Sequence, residues 1–203
     1  MNIEPHSYRR LVAAATLLAA LLAVAHAAQA QGVMPMPVPP GVQALPPQSG
    51  GVSPDQLSAW ERRDMGVPAA LALHDGAFHG PTPNQIPGGQ VITTKGLAPL
   101  LQQGMQVYVF DVLGGQDSLP NAMPLAWASQ PGSFDDSTQQ RLDQMLRQVT
   151  HGQIDAPLVF YCMSPECWMS YNAALRAIHA GYRNVLWYRG GIEAWRGAGL
   201  PLG

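Results

Sequence analysis

Charge is scarce in this chain and nearly balanced in sign. Asp, Glu, Lys and Arg make up 12% of its 203 residues, and the formal net charge is −2. That leaves no basic surface for a nucleic acid. Beyond the first thirty residues, no stretch is long and apolar enough to span a membrane, and no internal repeat is present. Cysteine is scarcer still. Cys162 and Cys167 are the only two, and both lie in one short loop, so any thiol chemistry is confined to that place. The loop itself, Met163-Ser-Pro-Glu-Cys-Trp-Met169, holds no Arg, Lys or His.

The N-terminus reads as an export signal. Arg9-Arg10 precede an uncharged apolar run from Leu11 to Ala25, and Ala28-Gln29-Ala30 is a small-x-small cleavage pattern. The expectation is a signal peptide over 1–30, with Gln31 as the mature N-terminus. The short, strongly apolar run fits the general secretory route better than the twin-arginine route. Cleavage removes Glu4, Arg9 and Arg10, leaving nine basic and twelve acidic residues and a net charge of −3. The predicted location is the periplasm, with no membrane attachment afterwards. In that oxidising compartment, two cysteines five positions apart can pair.

Residues 31–54 contain seven prolines, four glycines and no charge, which reads as a linker. Met34 and Met36 are too few for a copper site. Residues 55–85 read as an N-terminal helix and loop extension, the helix opening at Ser53-Pro54-Asp55-Gln56 with Ser53 as N-cap and Gln56 at N3. Ala69 to Leu73 is compatible with more helix or with a short strand. His74, Asp75 and His79 lack a tight ligand spacing and read as a solvent-exposed loop, so no metal is expected. From 86 to 203 the pattern is regular. Strands are expected at Val91-Ile92, Val107–Asp111, near Leu125, Leu158–Tyr161 and Val185–Tyr188. Helices are expected from Thr94, from Ser133, through Tyr171, Leu175, Ile178 and Tyr182, and from Ile192. Alternation of this kind predicts an α/β fold, with a parallel sheet covered on both faces.

Cys162 follows a buried strand and precedes a helix, where open α/β sheets place their ligands and where a thiolate is favoured. Glu166 works against the thiolate, and Pro165 has no N–H to offer. Stabilisation is therefore assigned to loop N–H groups around Ser164, to the following helix, and to Arg189, which leaves the last strand at the same edge. Cys167 is either a thiol that resolves a mixed disulfide or persulfide on Cys162, or half of a structural staple. Trp168 reads as the first core anchor of the helix, with a wall of the sulfur site as the other reading. Asp111, at a strand's carboxyl end, either orients the loop through N–H bonds or caps the turn after its strand.

These segments resemble the rhodanese-like domain. Val107-Tyr-Val-Phe-Asp-Val112 is similar to its strand ending in Asp-Val, and Leu119-Pro-Asn-Ala-Met-Pro-Leu125 to the segment after it. Phe160-Tyr-Cys162 looks like the strand that carries its active cysteine. Gly181-Tyr-Arg-Asn-Val-Leu-Trp-Tyr-Arg-Gly-Gly-Ile-Glu-Ala-Trp195 with Gly199-Leu-Pro201 resembles its C-terminal signature. The resemblance covers roughly 86–203 and implies a five-stranded parallel sheet flanked by helices, with Cys162 at the persulfide position. Cys167-Trp-Met-Ser-Tyr-Asn-Ala-Ala174 adds a likeness to exported rhodanese-like proteins with a Cys-Trp motif, associated with PQQ-dependent alcohol oxidation. Here the spacing is Cys-x4-Cys-Trp rather than Cys-x-x-Cys-Trp.

The chain also departs from ordinary sulfurtransferases. Its loop is two residues longer, and Met169, Leu119 and Leu113 stand where basic residues are frequent. Losing those cations weakens oxyanion binding, so thiosulfate is a poor expected substrate. The expected function is sulfane-sulfur transfer or thiol–disulfide chemistry at Cys162, with a small sulfur donor or a thiol/disulfide partner and no cofactor. The alternative is a non-catalytic accessory module of a PQQ-dependent dehydrogenase system, its two cysteines held as a structural disulfide.

Overall fold

Short runs of β-branched and aromatic residues build the sheet on which everything else hangs. In the computed structural model, which describes residues 52–203, the strands are β1 (Gln90–Ile92), β2 (Tyr108–Asp111), β3 (Met123–Pro124), β4 (Leu158–Tyr161) and β5 (Val185–Tyr188). All pairings are parallel, in the order β1-β5-β4-β2-β3. The export signal expected at 1–30, and nearly all of the linker expected at 31–54, lie outside the described residues. Among the described residues, no helix is long and apolar enough to cross a membrane.

β4 is the central strand, and its four residues are fully buried. Both of its faces are covered, which is why the run is uninterrupted by polar residues. Leu158 and Phe160 join one core cluster with α3 (Ser137–Val149) and α4 (Met169–His179). Val159 and Tyr161 join the other, with α1 (Pro54–Arg62), α2 (Thr94–Gln102) and α5 (Gly191–Gly197). The fold is the five-stranded α/β sandwich the sequence predicts. Register pairs Asp111 with Tyr161 and Tyr161 with Tyr188, so Asp111, Cys162 and Arg189 leave the sheet at one carboxyl edge.

Local rules set most helix ends. Ser53 and Gln56 form a reciprocal capping box on α1, with Pro54 at its first position. α3 begins at Ser137 rather than Ser133, because the Asp136 carboxylate accepts from the Gln139 amide at 2.7 Å and from both Arg176 terminal nitrogens at 2.8 and 2.9 Å. α4 is buried on nearly every side from Ser170 to Ala177, not on one stripe. A 3-10 turn at Ala126–Ser129 and the segment after α1 pack on its outward side.

That segment after α1 forms neither the helix nor the strand considered for Ala69 to Leu73. The Tyr171 hydroxyl donates to the Ala70 carbonyl at 2.8 Å and accepts from the Ala70 amide at 3.0 Å. The Asn172 amide does the same for His74, at 2.8 Å in both directions. Side chains of α4 thus satisfy backbone groups that a strand would have paired with another strand.

The entry of α2 is capped from outside. Thr93 stands at the N-cap without a side-chain bond, and the buried Glu61 carboxylate of α1 accepts instead from the Thr94 amide (2.8 and 3.1 Å) and hydroxyl (2.6 Å). Burial raises the Glu61 carboxyl to about 6, against the lowering effect of the Thr94 hydrogen bonds. A folded pKa above the unfolded one means that the stabilisation is full below about 4.5 and lost as pH rises through about 6. Asp136 works in the opposite sense. Its Arg176 bonds hold it at about 2, so its contribution is present above about 3.8 and fades as pH falls. Glu61→Gln should therefore flatten a loss of about 2 kcal/mol between pH 4.5 and 6.5, measured by denaturant unfolding across that range. An unchanged slope would contradict the assignment.

Candidate functional site

Cys162 and Cys167 are joined by a disulfide, with Cα atoms 6.2 Å apart. Each is 1% exposed. Cys162 is the first residue beyond β4, and Cys167 stands one residue before the N-cap of α4, so the loop spans the step from strand to helix. Its first half is held from α5. The Ile192 amide donates to the Cys162 carbonyl and the Glu193 amide to the Met163 carbonyl, both at 3.0 Å. Gly191, at φ +61°, makes this approach feasible, because a Cβ there would lie 2.5 Å from both carbonyl oxygens.

The second half of the loop is held by the extension after α1, which lies across it as a strap. The Gly80 amide donates to Glu166 O and the Trp168 amide to Phe78 O, each at 2.9 Å, making an antiparallel bridge between His79 and Cys167. The Thr82 hydroxyl donates to Pro165 O at 2.5 Å, and Arg63 pairs with Glu166 at 2.7 Å. His74 stacks on Trp168, with ring centroids 4.1 Å apart. Residues 74–79 form the irregular, largely exposed segment expected of them, and it is fastened to the cysteine loop and to α4. Among the described residues, no group of three His, Cys, Asp or Glu is arranged to hold a metal.

Arg189 requires a correction. It leaves β5 at the expected edge, yet its guanidinium does not serve the sulfur. Nε donates to Thr82 Oγ1 (3.0 Å), one terminal nitrogen to Glu61 O (2.7 Å) and Arg63 O (2.9 Å), and the other to Thr82 O (2.9 Å). The side chain is buried and fastens both ends of the strap to the sheet. Burial, together with the neighbouring Arg63, lowers it to about 10, so it stays a cation at neutral pH. It reaches the loop through Thr82 and Pro165, and through Arg63 and Glu166.

The other residues expected at the site have structural partners of their own. Asp111 Oδ1 accepts from the Leu113 and Gly114 amides (2.8 and 3.1 Å), ordering the turn after β2. Ser164 Oγ accepts from the Glu166 amide at 3.2 Å and orders the cysteine loop. Trp168 belongs to the core cluster on the α4 face, edge-on to Tyr171 at 5.1 Å. The amides of Met163, Ser164 and Cys167 have no acceptor among the described residues. Sequence reasoning missed Glu61, Thr82, Tyr171 and Asn172 as supports of the site. Only their burial marks them, and burial of a polar side chain is invisible until its partner is placed.

Against the Cys162 side of the loop lies an open cavity of about 490 Å³, lined by Leu113, Gln116, Asp117, Met163, Glu193 and Arg196, among others. Met163, 37% exposed, lines it and follows Cys162 directly in the chain. The site therefore has one covered flank, over Cys167, and one open flank, beside Cys162.

Comparison with known proteins adds a family to this geometry. The model of the rhodanese-like domain matches residues 99–198. No curated protein matches the chain. Among solved structures, a protein of unknown function described as a possible tyrosine phosphatase, from Rhodopseudomonas palustris CGA009, is similar at 23% identity. It covers 56% of this chain and 84% of its own, with a TM-score of 0.40.

Arg189→Lys keeps the charge and loses the fork, so the strap carbonyls lose their donors. Stability should fall by about 3 kcal/mol in denaturant unfolding, and protease cleavage within 63–82 should speed up. Unchanged stability would contradict the clamp.

Proposed function

We propose, from the premise that residues 99–198 form a rhodanese-like domain, that this chain is an exported protein whose Cys162 reacts by thiol and sulfane-sulfur chemistry, with Cys167 as its resolving partner. The observation that carries the reading is the Cys162–Cys167 disulfide at the carboxyl end of β4. A ring this small restrains the unfolded chain least, so a purely stabilising role gains little from it.

The chemistry starts from the disulfide. A thiolate attacks Sγ of Cys162, the sulfur–sulfur bond breaks, and its electron pair leaves on Cys167. Cys167 suits that role because it lies just before α4, at the positive end of the helix. A second thiol attacks the mixed disulfide and leaves both cysteines reduced. The Cys162 thiolate then takes the outer sulfur of a sulfane donor, whose other half departs with the bonding pair. Attack by the Cys167 thiolate on Sγ of Cys162 expels hydrosulfide and restores the disulfide. The persulfide is thus short-lived unless an acceptor thiol removes the sulfur first.

Thiosulfate is a poor partner for this site. The loop has no cation of its own, Arg189 is engaged by the strap, and Arg63 is paired with Glu166. The sequence at Arg9 to Ala30 supports a periplasmic location, and the Cys-Trp resemblance supports a partner in PQQ-dependent alcohol oxidation. A second reading has a specific observation behind it. Both cysteines are 1% exposed, which suits a locked staple in a non-catalytic accessory module of that system.

Thiol counting and mass analysis separate the two. Protein purified without reductant should have no free thiol. After mild reduction and exposure to a sulfane donor, an adduct of about 32 Da, one sulfur atom, should form. It should vanish in Cys162→Ser and persist longer in Cys167→Ser. A disulfide that resists the neutral thiol 2-mercaptoethanol, in a chain that takes up no sulfur, would favour the staple.

A further inference from the structure

The open flank of the site has a charge of its own, and that charge selects what can approach Cys162. Of the ionisable groups lining the cavity, Arg196 is paired with Asp117, which leaves Glu193 without a salt bridge of its own. Glu193 is exposed and lies at the start of α5, where its amide already donates to the Met163 carbonyl. The Ile192 amide is likewise engaged by the Cys162 carbonyl. The N–H groups through which this helix start could have met an anion are therefore occupied. Partial burial raises the Glu193 carboxyl and Glu166 raises it further, with Arg196 opposing.

The other flank offers no alternative approach. His79, Gly80 and Phe78 lie along Glu166 to Trp168, and His74 roofs Trp168. The strap is fixed at both ends by Arg189 and in its middle by Tyr171 and Asn172. The cavity, lined by Met163 next to Cys162 and by Ile192, whose amide bonds the Cys162 carbonyl, is the open side nearest the disulfide, and Glu193 lines it too.

We infer that the partner thiol of this site is uncharged or cationic close to its sulfur, such as a cysteine in a neutral or basic protein segment, and that small thiols with an additional carboxylate are disfavoured. This rests on the proposed exchange chemistry at Cys162 and names the substrate class for it. In that exchange the incoming thiolate bonds to Cys162 Sγ, and Cys167 leaves with the electron pair. What the cavity adds is a charge preference in the approach.

The test is the rate of disulfide reduction in the native chain by cysteamine, 2-mercaptoethanol and 3-mercaptopropionate. Each rate is taken per thiolate and divided by that thiol's rate on a small neutral disulfide, which removes intrinsic nucleophilicity. At low ionic strength, cysteamine should exceed 3-mercaptopropionate by roughly tenfold, with 2-mercaptoethanol between. Salt at about 0.5 M should collapse the spread, and so should Glu193→Gln. Exchange by all three with no charge order, or an order that survives both salt and Glu193→Gln, would overturn this inference and leave the exchange reading standing. A native chain that none of the three reduces would overturn both.

Discussion

The site depends on one buried cation. Arg189 extends its fork into the carbonyls of Glu61, Arg63 and Thr82, and by doing so holds a long connection flat against the carboxyl edge of the sheet. A guanidinium is suited to this, since it stays charged when buried and presents several donors in a fixed plane. With the strap fixed, its contacts reach the sulfurs in short steps. Thr82 takes the Pro165 carbonyl, Gly80 and Phe78 pair with the backbone flanking Cys167, and His74 covers Trp168. Cys167 is thereby held beside Cys162. The residue that position alone would assign to anion binding instead builds the frame that brings the two sulfurs together.

The frame joins regions far apart in sequence, which explains what the sequence made legible and what it left hidden. Strands such as Leu158–Tyr161 and Val185–Tyr188, and the Ser53/Gln56 capping box, obey local rules of pattern and hydrogen bonding, so they are readable directly. The topological position of Cys162 is readable for the same reason, because a buried strand followed by a helix fixes which edge its last residue reaches. Orientation is not. Arg189 is assigned to the right edge, but which way its side chain turns depends on carbonyls more than a hundred residues away. The strap is hidden more thoroughly. Its stretch from Ala69 to His79 has no periodicity of either kind, since the backbone of Ala70 and His74 bonds to side chains of α4 and that of Phe78 to the cysteine loop.

The same construction gives the site its asymmetry. A strap on one side and a cavity on the other give the two cysteines different surroundings, with Cys167 just before the N-terminus of α4. Several groups that could meet an oxyanion are used internally: the Ile192 and Glu193 amides on loop carbonyls, Arg189 on the strap, and Arg63 on Glu166, while the loop amides of Met163, Ser164 and Cys167 keep no acceptor among the described residues. What is left favours sulfur exchange between thiols over cleavage of a charged oxyanion.

The central claim is that the disulfide is a working bond in an intact frame, and an equilibrium redox titration of the whole chain tests it most directly. Thiol state would be read by mass after alkylation, and fold by circular dichroism on the same samples. The account predicts complete, reversible two-electron reduction with the circular dichroism unchanged. Reduction that occurs only as the fold is lost would contradict it and make the disulfide a staple.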